Sequence, residues 1–287
     1  KMQNFLPFGL LLVAFCTSSS VASEGKCTID SDGREVCDGQ PSLKAALAAF
    51  PERQRRMMAL ASHPSTRRQA RFVVFRVCCG ELGNRLLGLT SSLLVALLTG
   101  RGLLIDWPPI DGFSGDSFSD LFEPPNGLDL NLTPLLRAWD LPIPELSKIS
   151  TALELNNGGP EAFGPILCSD LSFAFSETPF LILETNQYFA PALLRNKHHA
   201  SAVASLFASS EGSGRNMFSQ LLSFVARPRK GLIKEMKAFK KKHFESADKV
   251  VSLQIRRQNR PGRDKEGAST SDEHVLTYWA CGASAAQ

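Results

Sequence analysis

This 287-residue chain has little excess charge of either sign, few cysteines and no internal repeat. Thirty-two Lys and Arg stand against 28 Asp and Glu, which gives a formal net charge of only +4. Proteins that bind nucleic acid normally carry a concentrated basic surface, so we expect no nucleic-acid partner. Seven cysteines are too few for a miniprotein held together by disulfides, and no internal repeat is visible.

Histidine is scarce as well, and its spacing does not suggest a metal site. None of the five histidines shows the H-x-x-H or similar spacing of metal ligands. His198 and His199 are adjacent, so on a helix they point to different sides. Asp30–Gly33 resembles the start of a calcium loop whose closing Glu is missing, and we interpret it as a solvated turn. The sequence therefore argues against a metal-dependent hydrolase.

The amino terminus predicts entry into the secretory pathway. The apolar run Phe5–Phe15 is shorter than the about 20 residues that a membrane-spanning helix needs. The small residues of Ser20–Ala22 follow it, as at a signal-peptidase site. We predict a signal peptide over residues 1–23, with a signal-anchor or a buried strand as alternatives. Membrane contact is expected only through this segment, if it is not cleaved.

Two further features agree with a lumenal or extracellular compartment. Cys27 and Cys37 bracket a polar, turn-rich stretch that a disulfide could close into a small loop. Asn131–Thr133 is an acceptor sequence for N-linked glycans, although Pro134 directly after it reduces its use. Together with the amino terminus, they predict that the chain after about residue 23 is lumenal or extracellular.

With 43% hydrophobic and 21% charged residues, the composition is that of a globular protein. Its pattern predicts a βαβ unit. Phe72–Val77 reads as a strand, and a turn over Cys78–Arg85 leads into an almost wholly apolar helix that Gly100 ends. Leu103–Trp107 reads as a second buried strand. Two strands joined by a helix imply a parallel sheet covered on both faces.

The remainder of the chain divides into lobes. Residues 24–71 are predicted to form a stem with a helical part, and 72–210 a first Rossmann-like lobe that includes a strand at Leu181–Glu184. Within it, the residues 108–165, rich in Pro, Gly, Asp and Asn, are interpreted as a long surface excursion with short helical pieces near Leu135–Trp139. A helical connector at 211–247 and the start of a second lobe at 248–287 follow.

The turn before the apolar helix is the first candidate binding site. Ligands of open α/β sheets bind where a strand ends and a helix begins, because the helix start offers unpaired N–H groups and a positive dipole end. The spacing G-x-x-G-N-R is not the dinucleotide fingerprint, and the glycines could serve a tight turn alone. Gly83, Asn84 and Arg85 are the candidates for contact with an anionic or sugar ligand.

The second candidate is the strand end Gln254–Arg257. Alternation along a strand places Gln254 and Arg256 on one face. A guanidinium at the mouth of a parallel sheet suits a phosphate or diphosphate. A surface salt bridge is the alternative for an arginine pair standing alone.

Five motifs occur in the order seen in plant-type xyloglucan fucosyltransferases, which the chain resembles over residues 42–281. They are GELGNRLLGLTSSLLVALLTGRGLLIDW, DLFEPP, FLILETNQYF, the helical region Phe218–Phe239, and VVSLQIR. The resemblance implies an α/β fold of the GT-B type, with two Rossmann-like lobes on parallel sheets and the nucleotide between them. Because the family continues well beyond the position of Gln287, we expect the second lobe to be incomplete here.

The resemblance also implies the activity. The family is inverting and metal-independent, and it needs no cofactor besides its donor, GDP-fucose. Its members are lumenal Golgi proteins, so the resemblance implies the Golgi lumen or membrane as the location, with secretion as the alternative. We therefore expect transfer of fucose to a galactose-type hydroxyl of a glycan or cell-wall polysaccharide. The alternative is a truncated, non-catalytic secreted protein that binds a glycan or a nucleotide.

The same resemblance gives roles to particular residues. Arg256 matches the family's diphosphate-binding arginine and is the first catalytic candidate, with Arg257 beside it as a binding residue. Asn186 lies where the family tends to carry Asp, and Glu184, two residues earlier on the same strand face, is the candidate carboxylate in its place. Tyr188, in the same motif, is expected to contact substrate.

Overall fold

The fold is centred on a parallel sheet of four strands. The computed structural model describes residues 27–29, 35–37, 42–107, 117–139, 150–155, 160–207 and 215–245. In chain order the described strands are β1 Cys27–Ile29, β2 Glu35–Cys37, β3 Phe72–Arg76, β4 Gly102–Asp106, β5 Phe122–Glu123, β6 Ser150–Glu154, β7 Phe180–Glu184 and β8 Arg227–Pro228. The described α-helices are α1 Leu43–Ser62, α2 Leu82–Leu98, α3 Phe118–Leu121, α4 Leu132–Ala138, α5 Pro160–Cys168, α6 Leu171–Ala174, α7 Ala200–Phe207, α8 Arg215–Val225 and α9 Lys230–Phe244.

The strand order in the sheet is β4-β3-β7-β6, and every neighbouring pair is parallel. The predicted βαβ unit is confirmed, because β3 and β4 pair side by side with α2 between them in the chain. A parallel crossover of this kind places its helix on one face of the sheet. All four strands end at the same edge, the carboxyl edge.

Both faces of the sheet are covered, as the continuous apolar strands require. Alternate side chains of β3, β4 and β7 enter two separate hydrophobic clusters. The cluster on one face includes Phe75 together with Leu89 and Leu93 of α2. The cluster on the other face includes Val74 and Trp139, so each central strand is buried on both sides.

The interpretation of residues 108–165 as a surface excursion is wrong for the described part of that range. Ser150–Glu154 forms the fourth strand of the sheet. Leu132 and Leu135 of α4 are buried in the second cluster. The helical piece expected near Leu135–Trp139 is present as part of α4. The strand was missed because a five-residue edge strand gives little periodic signal.

Contacts divide the chain into two compact units, Lys1–Arg229 and Lys230–Gln287. In the first, Cys27 and Cys37 are register partners of the antiparallel hairpin β1–β2; their disulfide stays a prediction. In the second, the structure describes α9, whose Met236 and Phe239 are exposed. None of the helices in the described ranges combines the length and apolarity needed to cross a bilayer.

Candidate functional site

Four charged residues lie side by side at the carboxyl edge of the sheet. Each is the last residue of its strand, and the strand register aligns Asp106, Arg76, Glu184 and Glu154 in that order. We call them the carboxyl-edge row. The Arg76 Nε–H donates to Asp106 Oδ2 at 2.8 Å, and both side chains are about three-quarters buried. One cation therefore stands among three carboxylates.

Glu184 is the carboxyl group most affected by this arrangement. Burial raises its pKa, repulsion from Glu154 adds to the rise, and the Arg76 guanidinium opposes it. The pKa of a general base approaches the working pH when its charged form is disfavoured in this way. The predicted catalytic carboxylate thus lies in an environment that makes it a stronger proton acceptor than an ordinary glutamate.

Two glycines, Gly80 and Gly83, follow β3, and the local structure requires glycine at only one of these positions. Gly80 has a φ of +82°, a left-handed conformation that a side chain would strain. Gly83 lies in the first turn of α2, and a Cβ there would meet no atom within 4 Å. The tight-turn alternative therefore accounts for Gly80 but not for Gly83. Gly83 and Asn84 are exposed at the helix start, open to a ligand.

Arg85 points into the protein instead. Its side chain is 1% exposed, its Nε–H donates to the Gly80 carbonyl at 3.0 Å, and its guanidinium carbon lies 5.3 Å from the centroid of the Trp107 ring. Its Nη2 is buried with no hydrogen-bond partner in the described part of the chain. The Arg85 guanidinium therefore stabilises the turn through the Gly80 carbonyl. Its contact with a ligand stays a prediction.

The segment after β7 is fixed against α2. Ser91 Oγ accepts hydrogen bonds from the Phe189 and Ala190 N–H groups at 3.1 and 3.2 Å. A Cβ on Gly88 would lie 2.6 Å from the Thr185 carbonyl oxygen, so only glycine permits this close approach of helix and segment. The sequence-predicted residues after β7 are thereby brought to the carboxyl edge beside the helix start.

Asn186 and Tyr188 take different positions in that segment. The Asn186 Nδ2–H donates to the Sγ of Cys79 at 3.3 Å, and Cys79 forms a disulfide with its neighbour Cys78. The Tyr188 ring packs against Phe218 with centroids 5.5 Å apart. The Tyr188 hydroxyl is buried with no hydrogen-bond partner among the described residues, and burial raises its pKa to about 12.

The predicted residues Gln254, Arg256 and Arg257 lie outside the described residues, so their roles stay predictions. Within the described ranges, no group of three or more His, Cys, Asp or Glu side chains could hold a metal ion. The structure thus brings together Gly83, Asn84 and the segment after β7.

Sequence reasoning missed Arg76, Asp106 and Glu154. A signal for the first two was present, because each ends an apolar run, FVVFR and GLLID. Strand ends of a parallel sheet meet at one edge, so charged residues there are expected to be neighbours. Glu154 carried no such signal, because its strand STALE is not continuously apolar.

No known family model matches the chain, but individual relatives do. Fucosyltransferase 3 of Arabidopsis thaliana is 34% identical over 141 residues, which are 43% of this chain and 24% of that protein. Three more A. thaliana relatives with fucosyltransferase names are 24% to 28% identical over 66% to 72% of this chain. They are covered over 37% to 44% of their own length. The chain thus spans less than half the length of the curated relatives it matches.

The fold also has a solved counterpart. The structure of a mutant of A. thaliana FUT1 in complex with GDP matches with a TM-score of 0.59 and 22% sequence identity. The match covers 77% of this chain and 53% of that one. At this identity the similarity concerns the fold, and it confirms the predicted α/β architecture of the GT-B type.

Proposed function

We propose, from the similarity of this chain to the plant fucosyltransferases, that it transfers fucose from GDP-fucose to a galactose-type hydroxyl of a glycan or cell-wall polysaccharide. One observation carries the proposal: an open helix start and a carboxyl group with a raised pKa lie at the same carboxyl edge of a parallel sheet. Ligands of open α/β sheets bind at this edge.

The helix start would serve the anionic part of the donor. The first N–H groups of α2 have no intrahelical acceptor, and the dipole of the helix favours negative charge there. The open space over Gly83 lets a ligand approach the backbone closely. We assign Asn84 to the same contact, and Arg256, with Gln254 and Arg257, to the diphosphate.

Glu184 would act as the general base. In an inverting transfer, the acceptor oxygen attacks the anomeric carbon of fucose from the face opposite GDP. The bond from that carbon to the phosphate oxygen breaks, and GDP leaves with the electron pair. The acceptor hydroxyl must lose its proton, and Glu184 Oε takes it. Its raised pKa matches this role better than that of an ordinary carboxylate.

Arg76 would keep the base in place. It stands between Asp106 and Glu184 in the carboxyl-edge row, and its bond to Asp106 fixes the guanidinium. Fixed charge near a reacting group needs no reorganisation during the reaction. Arg76 is therefore a positioning residue for Glu184.

The test uses the whole chain and separates binding from chemistry. GDP affinity is measured by calorimetry, and fucose transfer from labelled GDP-fucose to a galactose-terminated oligosaccharide is measured in parallel. Glu184→Gln should bind GDP like the parent and lose at least a hundredfold in transfer rate. The control Glu177→Gln, at an exposed carboxylate that precedes the amino end of β7, should retain both. Equal transfer by Glu184→Gln and the parent would remove Glu184 from the mechanism, and failure of the parent to bind GDP would contradict the function itself.

Two further parts of the proposal have separate tests. We propose a metal-independent reaction, so turnover should survive EDTA; loss that manganese restores would instead implicate a metal, with Asp30 and Asp32 as the first ligands to test. We propose residence in the Golgi lumen or membrane, so a fusion expressed in a eukaryotic cell should give endoplasmic-reticulum or Golgi signal. A diffuse cytosolic signal would contradict this location.

A further inference from the structure

A cleft of about 270 Å³ lies beside the carboxyl end of β4, in residues that the mechanism above does not use. Its walls combine the aromatic side chains of Trp107 and Phe118 with polar residues, among them Ser117, Asp129 and Asn131. The two rings are tilted by 51° with centroids 5.6 Å apart. An aromatic wall with polar groups at its border is the usual composition of a small-ligand site.

The cleft adjoins the proposed donor site through a single residue. Trp107 directly follows Asp106 of the carboxyl-edge row, and its ring contacts the buried guanidinium of Arg85 at the base of the helix turn. The cleft is held against β4 by the backbone, since the Ile105 N–H donates to the Leu130 carbonyl at 2.6 Å. A ligand in the cleft would lie on the β4 side of the carboxyl-edge row, in which Asp106 and Arg76 come before Glu184.

Local hydrogen bonds fix the polar residues at the border of the cleft and leave other atoms of the same side chains available to bond a ligand. Asp129 Oδ1 accepts from the Asn131 N–H at 2.9 Å, and Asn131 Oδ1 accepts from the Thr133 N–H at 3.0 Å. Each bond uses one atom of its side chain. The second carboxylate oxygen of Asp129 and the amide nitrogen of Asn131 have no partner in the described residues, and both side chains are exposed.

The chemistry of the lining selects a neutral sugar. The C–H faces of a pyranose ring pack on aromatic rings, while its hydroxyls pair with amide and carboxylate groups. None of the side chains that line the cleft is basic, and the Asp129 carboxylate repels anions, so a phosphate or a nucleotide is disfavoured. We infer that this cleft binds one neutral sugar residue of the acceptor glycan, on the β4 side of the sugar whose hydroxyl reacts. The inference rests on the proposed function.

The experiment measures oligosaccharide binding without any chemistry. The whole chain carries Thr133→Ala in all samples, because this change removes the glycan-acceptor sequence at Asn131 while leaving the Asn131 side chain and the Thr133 N–H in place. A galactose-terminated trisaccharide is titrated by calorimetry and by ligand-observed saturation-transfer NMR. GDP is titrated into the same samples.

We expect the trisaccharide affinity to fall at least fivefold in Phe118→Ala and at least threefold in Asp129→Asn, with GDP affinity unchanged. Asp129→Asn keeps the oxygen that the Asn131 N–H needs, so it tests the cleft without disturbing the fold. Phe173→Ala, at an aromatic residue that is 82% exposed and not part of the cleft lining, is the matched control and should bind like the parent.

Three results would contradict either the sugar-binding cleft or the proposed GDP-fucose donor. If both cleft variants bind the trisaccharide as tightly as the parent, the cleft is not a sugar-binding site, regardless of the GDP affinity. Trisaccharide binding that depends on the cleft, in a chain that does not bind GDP, supports the cleft and contradicts the proposed donor. A parent chain that binds neither ligand overturns both.

Discussion

The side-chain amide of Gln54 pairs with both backbone groups of Leu103. Gln54 Nε2–H donates to the Leu103 carbonyl at 2.9 Å, and the Leu103 N–H donates to Gln54 Oε1 at 2.8 Å. Leu103 lies in β4, an edge strand of the sheet, so one of its sides has no neighbouring strand. A fully buried glutamine of α1 takes the place of that neighbour and covers an edge that would otherwise be open to pairing.

Replacing Gln54 by Leu should therefore cost far more than a surface change. The Leu103 N–H and carbonyl would stay buried without partners, and an unsatisfied buried backbone group costs about 1–3 kcal/mol. We expect the free energy of unfolding to fall by about 2–4 kcal/mol in urea titrations. Gln69→Leu, at an exposed glutamine, should stay within about 0.5 kcal/mol of the parent; an equal effect of both changes would contradict the pairing.

Alanine at Gly88 and at Gly83 should have opposite effects on stability. Because a Cβ on Gly88 would collide with the Thr185 carbonyl oxygen at 2.6 Å, Gly88→Ala should destabilise the fold by about 1–3 kcal/mol and displace the segment that carries Tyr188. Gly83→Ala meets no atom and improves helix propensity by up to about 1 kcal/mol, yet it should weaken GDP binding. Thermal unfolding and GDP calorimetry on both variants check this; a stable Gly88→Ala protein would refute the close approach.

The stability of Glu184→Gln should depend on pH with a definite sign. Burial, then repulsion from Glu154, raises the pKa of Glu184 above its ordinary value of 4.5. Ionising Glu184 is therefore harder in the folded state, and the parent loses stability as pH rises from 4.5 through the raised pKa. Glu184→Gln should be more stable than the parent at pH 7, and this advantage should disappear below pH 4.5.

Urea unfolding at a series of pH values measures this difference. Glu177→Gln serves as the control, since Glu177 is exposed and its replacement should change the unfolding free energy little at any pH. An advantage of Glu184→Gln that grows as the pH is lowered would show that the carboxylate, and not the carboxylic acid, is the favoured form in the fold.

Removing the Tyr188 hydroxyl should stabilise the protein and harm its function. The hydroxyl is buried with no partner in the described ranges, and burying an unpaired hydroxyl costs about 1–3 kcal/mol. We expect Tyr188→Phe to raise the free energy of unfolding by about 1 kcal/mol and to weaken substrate binding. Ultraviolet titration of the parent should show one tyrosine ionising only at about pH 12. A less stable Tyr188→Phe protein would reveal a partner for the hydroxyl.

Arg256 should matter more than its neighbour. A guanidinium can bridge two phosphate oxygens, whereas a lysine acts as a single point charge. Arg256→Lys should lose most GDP affinity, and Arg256→Ala nearly all transfer, a loss of about 2–4 kcal/mol. Arg257→Ala should lose less, because alternation turns it to the other face. Calorimetry with GDP gives the answer, and unchanged affinity in Arg256→Ala would mean that the diphosphate binds elsewhere.

The sequence alone determined the elements at the centre of the fold. FVVFR, GLLID and FLILE are apolar over nearly their whole length, and such runs must be buried on both faces, which predicts parallel strands. The long apolar stretch after Asn84 predicted α2 in the same way. These signals are local, because burial of a strand or a helix follows from the order of apolar and polar residues within it.

How those elements meet follows from contacts between distant parts of the chain. The strand order and register bring Arg76, Asp106, Glu184 and Glu154 into one row, and they turn Arg85 inward onto Trp107. Each of these contacts joins residues far apart in the chain. Periodicity reports which face of an element is apolar but not which partner covers it, so the helix start was predictable as a site, whereas the environment that raises the pKa of Glu184 was not.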